Sequence, residues 1–217
     1  MGNRYETQDR LIQATRKIIV EEGVEATTLE HICKVAGFTR GAFYSNFSSK
    51  DSLLAAMAED EYADLVDRLR ATVDRWAAAE VPTGNEYPQI ENLLFEALDA
   101  IGIDNSLYVI HSELLSRSIR DPQWGATLKH INDEFVAEMG NVLEWIVRAA
   151  HRELTIPLLA LVHSVIGIGI RAAGIRGWQQ SAAQSEAEHE NGGEDLAGVD
   201  EILKVIQIVI YAASKPL

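Results

Sequence analysis

The stretch TTLEHICKVAGFTRGAFYSNFSSKDSLL, residues 27–54, decides the fold of this chain. Thr28 is a favourable N-cap for a short helix, and Gly37 ends that helix because it adopts a backbone conformation that other residues resist. Thr39 then caps a second short helix over residues 40–46. Two short helices joined by a three-residue turn predict a helix-turn-helix, the motif whose second helix lies in the major groove of DNA.

The second helix of the motif has one inward and one outward face. Phe43 and Phe47, four residues apart, are predicted to hold it to the core. The outward face carries Thr39, Arg40, Gly41, Tyr44 and Ser45. A plainer interpretation is a helical hairpin inside an all-α domain, because such hairpins occur in many folds. The continuous run TRGAFYSNFSSKDSLL that follows the turn favours DNA binding.

Helical patterns account for most of the remaining chain. Apolar spacing predicts further helices at 9–22, from 50 into the 70s, 89–101, 106–118, 122–151, 156–179 and 199–213. Asp121-Pro122 predicts a helix start, because Asp accepts from free amides and proline is tolerated at the first position. Residues 82–88 are predicted to form a loop, and the polar, acidic stretch 180–198 a mobile loop. No segment has a convincing strand pattern. The fold class is therefore all-α, with about nine helices.

Charge is distributed unevenly along the 217 residues, whose formal net charge is −14 at pH 7. Of the 19 basic and 33 acidic residues, seven of each lie in residues 1–55, which leaves 12 basic and 26 acidic residues for the remainder. The neutral N-terminal quarter is therefore the part that can approach phosphate without strong repulsion.

Several other classes of protein are disfavoured. The N-terminus lacks the apolar segment of a secretory signal, and the longest apolar stretch, 156–170, is shorter than the roughly 20 residues that cross a bilayer. We expect a cytoplasmic protein without membrane contact. Cys33 is the single cysteine, which excludes an internal disulfide and favours a packing role.

Enzymatic signatures are sparse as well. No GxSxG, HExxH or P-loop pattern occurs, so we expect no catalytic residue and no cofactor. Glu186 and His189 have the ExxH spacing of a carboxylate metal site, but a di-iron bundle needs two such motifs. They fall in the predicted loop at 180–198, where solvated charge is the better interpretation, and we expect no metal.

The quoted stretch resembles the tetracycline-repressor (TetR) family of bacterial transcriptional regulators. The family pattern is met by Gly23, by Thr27-Thr28, and by the segments ICKVAGF, GAFYSNF and KDSL. The resemblance is detailed over residues 9–55 and rests beyond them on length and helix count. Three residues depart from the family pattern: Cys33 stands for the usual Ala, Phe38 for an aliphatic residue and Asn46 for the common His.

The resemblance implies a set of DNA contacts. Phosphate contacts are implied for Thr28, Tyr44 and Lys50, and positions near base edges for Thr39, Arg40, Gly41 and Ser45. Arg40 is the best single candidate for direct readout, because its guanidinium fork matches O6 and N7 of guanine. Arg4 and Arg10 could add phosphate contacts from a flexible arm, although solvated surface is the better interpretation of Arg4. The implied domains are a DNA-binding domain over 1–55 and a ligand-binding and dimerisation domain over 56–217.

The resemblance also implies a cavity for a small, largely apolar effector among the fifth to eighth helices. Its candidate lining is Phe95, Tyr108, His111, Leu115, Trp124, Phe135 and Trp145. For any one of these residues, ordinary core packing is the alternative. His111 is either a polar anchor for a ligand or a satisfied core histidine.

The last two helices have the composition of an interface. Residues 156–179 present Gly167, Gly169 and Gly174 among Ile and Val, and residues 199–213 are apolar around most of the circumference, more than a monomer can use. The candidate interface residues are Gly167, Gly169, Gly174, Ile202, Ile206, Ile208 and Val209. Two copies related by a two-fold axis would form a four-helix bundle.

The function predicted is therefore a homodimeric, ligand-responsive regulator, most simply a repressor of a palindromic double-stranded DNA operator. One alternative is a helical-bundle enzyme or carrier that uses the Trp-rich region. Another is a regulator that is co-repressed or independent of ligand.

Overall fold

The fold is all-α, as predicted. The structure is a computed structural model that describes residues 4–78, 90–102, 105–186 and 199–217. Within these ranges there are nine α-helices and one short 3-10 helix, Val24–Ala26. The α-helices are α1 (Arg4–Glu22), α2 (Leu29–Ala36), α3 (Arg40–Tyr44), α4 (Lys50–Ala78), α5 (Ile90–Ile101), α6 (Asn105–Arg120), α7 (Pro122–Ala149), α8 (Leu158–Glu186) and α9 (Val199–Ala212).

Helix starts follow the capping residues of the sequence. Oγ1 of Thr28 accepts from the amide of His31, and Oγ1 of Thr39 accepts from the amide of Ala42, at 3.2 Å in both cases. Oδ1 of Asp121 accepts from the amides of residues 123 and 124, both at 3.1 Å, so the Asp-Pro start of α7 forms as its sequence predicts. These side chains satisfy amides that have no partner within the helix.

Two of the predicted boundaries are wrong. Helix α8 continues through 180–186, which belong to the predicted loop at 180–198. Helix α1 begins at Arg4, so Arg4 and Arg10 belong to a helix and not to a flexible arm. The predicted loop at 82–88, His189 and the rest of the predicted loop at 180–198 lie outside the described residues.

A small β-ribbon was not predicted. Strand β1 (Arg152–Leu154) pairs antiparallel with β2 (Ser214–Pro216), with Glu153 opposite Lys215. Arg152 donates to the carbonyl of Ser214 at 2.7 Å and to its hydroxyl at 2.8 Å. Each strand has three residues, too short for an alternating pattern to be distinguished from a turn.

The chain forms two compact units, and their boundary falls inside α4, α6 and α7. The first comprises Met1–Asp64 with Val109–Asp133, and the second Leu65–Tyr108 with Glu134–Leu217. The helix-turn-helix is in the first unit, and α5, α8 and α9 are in the second. Segment Leu158–Ile175 of α8 has a mean hydropathy of 1.9, and 39% of it is buried. Its length and composition would also suit a membrane helix, but the core helices of soluble proteins pass the same test.

Candidate nucleic-acid interface

The helix-turn-helix is held by its own apolar core. Phe43 of α3 and Ile32 of α2 are fully buried, and they share a cluster with Leu11 and Ile18 of α1. Phe47, just after α3, joins the same cluster, and its ring centroid lies 6.0 Å from that of Phe43. The predicted inward role of Phe43 and Phe47 is confirmed. Cys33 is also in this cluster, and burial raises the pKa of its thiol, which agrees with a packing role.

The turn between α2 and α3 depends on Gly37. Its φ of 72° and ψ of 31° are left-handed, and its amide donates to the carbonyls of Cys33 and Lys34. A β-carbon at this position would lie 3.1 Å from Nη2 of Arg10. Backbone conformation and close packing therefore both favour glycine.

Arg10 stabilises this turn. Its Nη2 donates to the carbonyl of Ala36 at 2.8 Å, and its guanidinium lies 4.6 Å from the ring centroid of Phe38. The carbonyl belongs to the last residue of α2, which has no partner within the helix. Sequence reasoning missed this role because Arg10 and Ala36 are 26 residues apart, and no local pattern links them.

The start of α3 presents the predicted base-reading residues to solvent. Thr39, Arg40, Gly41 and Ser45 are all exposed. Oγ of Ser45 donates to the carbonyl of Gly41 at 2.9 Å, so the hydroxyl hydrogen of Ser45 is used in a contact with α3. Nη2 of Arg40 forms an ion pair with Oε1 of Glu30 on α2. Glu30 was not among the predicted interface residues.

The predicted phosphate-contacting residues lie at the ends of three helices. Tyr44 is 60% exposed and packs edge-on against Phe43, with ring centroids 5.4 Å apart. Thr28 is exposed at the start of α2, and Lys50 is half-buried as the first residue of α4. Nδ2 of Asn46, two residues beyond α3, donates to the carbonyl of Ala42 at 2.8 Å, so this side chain turns back onto α3.

The start of α4 is fixed by two sets of contacts. Ser49 and Ser52 cap each other, since Oγ of Ser49 accepts from the amide of Ser52 at 3.0 Å and Oγ of Ser52 accepts from the amide of Ser49 at 3.1 Å. Nη2 of Arg117 lies 2.6 Å from Oδ1 of Asp51, and its guanidinium lies 4.8 Å from the ring centroid of Trp124. Arg117 was missed because its main partner is 66 residues away in sequence.

The seven predicted cavity residues divide between the two units. His111, Leu115 and Trp124 lie in the first, and Phe95, Tyr108, Phe135 and Trp145 lie in the second. Phe95 is 51% and Leu115 is 46% exposed, which places both on the surface. Trp124 and Phe135 are buried, and Trp145 packs against Trp76 with ring centroids 4.8 Å apart.

His111 has a polar partner inside the first unit. The hydroxyl of Tyr62 and Nδ1 of His111 are 2.8 Å apart. Burial lowers the pKa of His111 and, with the neighbouring Glu61 carboxylate, raises the pKa of Tyr62 to about 12. The neutral imidazole and the protonated Tyr62 hydroxyl therefore share one hydrogen bond, in which the tautomer of His111 decides the donor. The structure thus gives His111 a partner without any ligand.

Helices α8 and α9 border an open, apolar groove of about 570 Å³ in the second unit. Its lining includes Gly167, Ile168, Ile175, Val205 and Val209. A β-carbon at Gly167 would meet nothing within 4 Å. Ile208, on the exposed side of α9, is 65% exposed.

Three other predicted interface residues are buried within the chain. Ile206 is fully buried, and Gly169 is buried on α8. Gly174 is also buried, and a β-carbon there would lie 2.7 Å from the ring of Tyr108. Its small size therefore permits close packing within one chain. The side chain of Ile202 lies outside the described part of the structure.

Comparison with known proteins places this geometry in a family. Residues 11–57 match the family model described as bacterial regulatory proteins, tetR family. The chain is similar to the HTH-type transcriptional regulator TtgW of Pseudomonas putida, with 30% identity over 132 residues, which cover 55% of this chain and 91% of TtgW. It is 32% identical over 106 residues to the HTH-type transcriptional regulator YvdT of Bacillus subtilis, covering 46% of this chain and 55% of YvdT. The chain thus spans about half the length of YvdT.

Solved structures share the fold over nearly the whole chain. A TetR-family regulator from Mesorhizobium loti aligns with a TM-score of 0.66 at 15% identity, covering 98% of this chain and 96% of that one. FadR from Bacillus subtilis, solved in complex with stearoyl-CoA, aligns with a TM-score of 0.59 at 13% identity, covering 93% and 95%. At these identities the likeness establishes the fold. Together with the family match and the TtgW relationship, the capped and exposed helix-turn-helix shows that this chain belongs to the TetR family of DNA-binding transcriptional regulators.

Proposed function

We propose that the protein is a cytoplasmic, homodimeric repressor that binds a palindromic operator and leaves it when a small molecule binds. The proposed DNA contacts are those of Thr28, Thr39, Arg40, Gly41, Tyr44, Ser45 and Lys50. The observation that carries the proposal is that α3 has one buried and one exposed face. Phe43 anchors the helix in a buried core while Arg40 and Tyr44 remain exposed beside it.

The charge distribution supports DNA binding that depends on the placement of the recognition helices. Residues 1–55 carry equal numbers of basic and acidic groups, so this region has little general attraction for DNA. In the proposed dimer, affinity comes from placing two recognition helices in successive major grooves, about 34–36 Å apart. Arg40 reads a base and Lys50 binds a phosphate.

The groove on α8 and α9 supports the homodimer. Gly167, Val205 and Val209 lie exposed or half-buried there, and Ile208 is exposed on the same helix α9. Apolar side chains in such positions favour burial against another surface. We propose that the same two helices of a second copy cover them in a four-helix bundle. We assign DNA binding to residues 1–55, and dimerisation and effector binding to 56–217.

The effector is proposed to be largely apolar. Phe135 and Trp145 supply aromatic surface within the second unit, and FadR of similar fold holds stearoyl-CoA. If a ligand lowers the affinity for the operator by some factor, it binds DNA-free protein more tightly than DNA-bound protein by that same factor. Operator titration with and without the ligand, paired with ligand titration with and without operator, measures that reciprocity. We assign the protein no catalytic role, since its relatives are named as regulators.

The proposed readout predicts that Arg40→Ala and Lys50→Ala have different effects. Loss of a bidentate base contact at Arg40 should cost about 1–3 kcal/mol on an operator enriched from random duplexes by the wild-type protein, and should reduce discrimination against a scrambled duplex. Lys50→Ala should weaken both duplexes similarly and lower the slope of log affinity against log salt by about one. Fluorescence anisotropy at several salt concentrations measures both. Equal losses on both duplexes for Arg40→Ala would contradict base readout.

A further inference from the structure

Arg40, the residue proposed to read a base, has an acidic partner in the DNA-free protein. Its Nη2 pairs with Oε1 of Glu30, and the two side chains remain 60% and 64% exposed. Glu30 lies in the first turn of α2, and Arg40 is the first residue of α3. The ion pair therefore joins the two helices of the motif at the exposed start of the recognition helix.

We propose that Glu30 is a specificity-determining residue of the DNA interface, which acts by holding Arg40 and by repelling phosphate. The inference rests on the proposed function, in which Arg40 reads a base. It goes beyond that function by assigning a role to an acidic residue, where recognition of a polyanion is ordinarily attributed to basic ones.

Arginine has enough N–H donors to bind the Glu30 carboxylate and a DNA base at the same time. A guanidinium has five N–H donors in a fixed fork, so a carboxylate bound at Nη2 leaves other N–H groups for O6 and N7 of guanine. With Glu30 in place, the guanidinium plane is restrained before DNA arrives. On an operator, Arg40 keeps its ion pair with Glu30 and adds hydrogen bonds to a base.

Random DNA offers no such gain. Without a matching base, Arg40 would bind DNA most favourably through phosphate, and Glu30 competes for that charge. The carboxylate also lies near the backbone of any duplex that approaches α3, where like charges repel. Because residues 1–55 carry seven basic and seven acidic groups, neutralising one carboxylate gives this region a net positive charge. Glu30 therefore weakens non-specific binding more than operator binding.

Glu25 provides a matched control. It lies in the 3-10 helix of the same region, is exposed, and forms no ion pair among the described residues. Glu25→Gln and Glu30→Gln change the net charge equally, so a difference between them isolates position and contact with Arg40.

The experiment measures the affinity of each dimer for the enriched operator and for a scrambled duplex of equal length. Glu30→Gln should raise affinity for the scrambled duplex roughly threefold or more, the scale of one screened charge pair at contact distance, and should change operator affinity less. The ratio of operator to scrambled affinity then falls. Glu25→Gln should leave that ratio near the wild-type value. Thermal unfolding of each variant checks that α2, whose first turn contains Glu30, remains folded.

A double-variant cycle tests whether Glu30 acts through Arg40. In the Arg40→Ala background, Glu30→Gln should change the ratio much less than in the wild type. If Arg40→Ala lowers the ratio but Glu30→Gln behaves like Glu25→Gln, or has the same effect in both backgrounds, this inference alone is overturned. If Arg40→Ala leaves the ratio unchanged, the proposed function loses its base-reading residue and the inference falls with it.

Discussion

The helix-turn-helix and the α8–α9 surface differ in the kind of side chain that they expose. The motif encloses Phe43 and Ile32 in its own core and exposes polar and charged side chains at the start of α3. Helix α9 buries Ile206 and Ile210 on one side and still exposes Val205 and Ile208 on the other. The motif thus has a core of its own, whereas Val205 and Ile208 of α9 stay exposed among the residues that the structure describes. Two predictions test this contrast and a third tests a buried polar contact of the first unit, from the largest expected effect to the smallest.

The largest effect is expected from Phe43→Ala. Removing a fully buried Phe should destabilise the first unit by about 3–5 kcal/mol, because the cavity left behind refills poorly. Operator binding should be lost, while the second unit, which has its own core, should still support the dimer. Urea unfolding followed by circular dichroism, together with light scattering, measures both properties. Loss of the dimer would show that the motif is not independent.

The next effect concerns the exposed side of α9. Ile208→Glu should place an unpaired charge in the proposed interface and weaken the dimer by roughly 2 kcal/mol or more, about 30-fold in dissociation constant. Analytical ultracentrifugation over a concentration series measures the change.

Two other Ile→Glu variants make the dimer result interpretable. Ile119 is 79% exposed on α6 of the first unit, so Ile119→Glu should leave association unchanged. Ile206 is fully buried, so Ile206→Glu should unfold the second unit instead of separating intact subunits. A dimer of unchanged affinity for Ile208→Glu would show that α9 does not form the interface.

The smallest effect concerns His111. Burial lowers the pKa of its imidazole below the value of about 6.5 expected in the unfolded chain. The unfolded chain therefore binds a proton at His111 more readily. The contribution of His111 to the free energy of unfolding is largest above pH 6.5 and falls as the pH drops through that value toward the folded-state pKa. His111→Gln lacks this titration and should lose less stability between pH 7.5 and 5.5. Urea unfolding at both pH values provides the comparison, and equal losses in the two proteins would contradict the assignment.

Local chemistry predicted much of the motif. Thr28, Thr39 and Asp121 cap the helices that their positions indicated, and Phe43 and Phe47 face inward as their spacing required. Such features act within a few residues of one another, so a linear pattern records them.

Contacts between distant residues were not predictable in the same way. The Arg10–Ala36 hydrogen bond, the Arg117–Asp51 ion pair and the Arg152–Ser214 contacts join residues 26, 66 and 62 positions apart. Among these arginines, only Arg10 was singled out from the sequence, and it was given a different role. A long charged side chain reaches whichever partner the fold brings near, which residue type alone does not specify.

The sequence by itself determined the all-α fold, the helix-turn-helix and the separation of a neutral N-terminal region from an acidic remainder, because periodicity, caps and charge are properties of neighbouring residues. Only the tertiary structure decided which apolar residues are buried by other parts of the same chain. It buried Ile206 and left Ile208 exposed on the same apolar helix, and it packed Gly174 against Tyr108 while leaving Gly167 open. It also paired Arg40 with Glu30. A helical repeat states that a side chain is apolar or charged, but which neighbour covers or neutralises it depends on segments that meet only after folding.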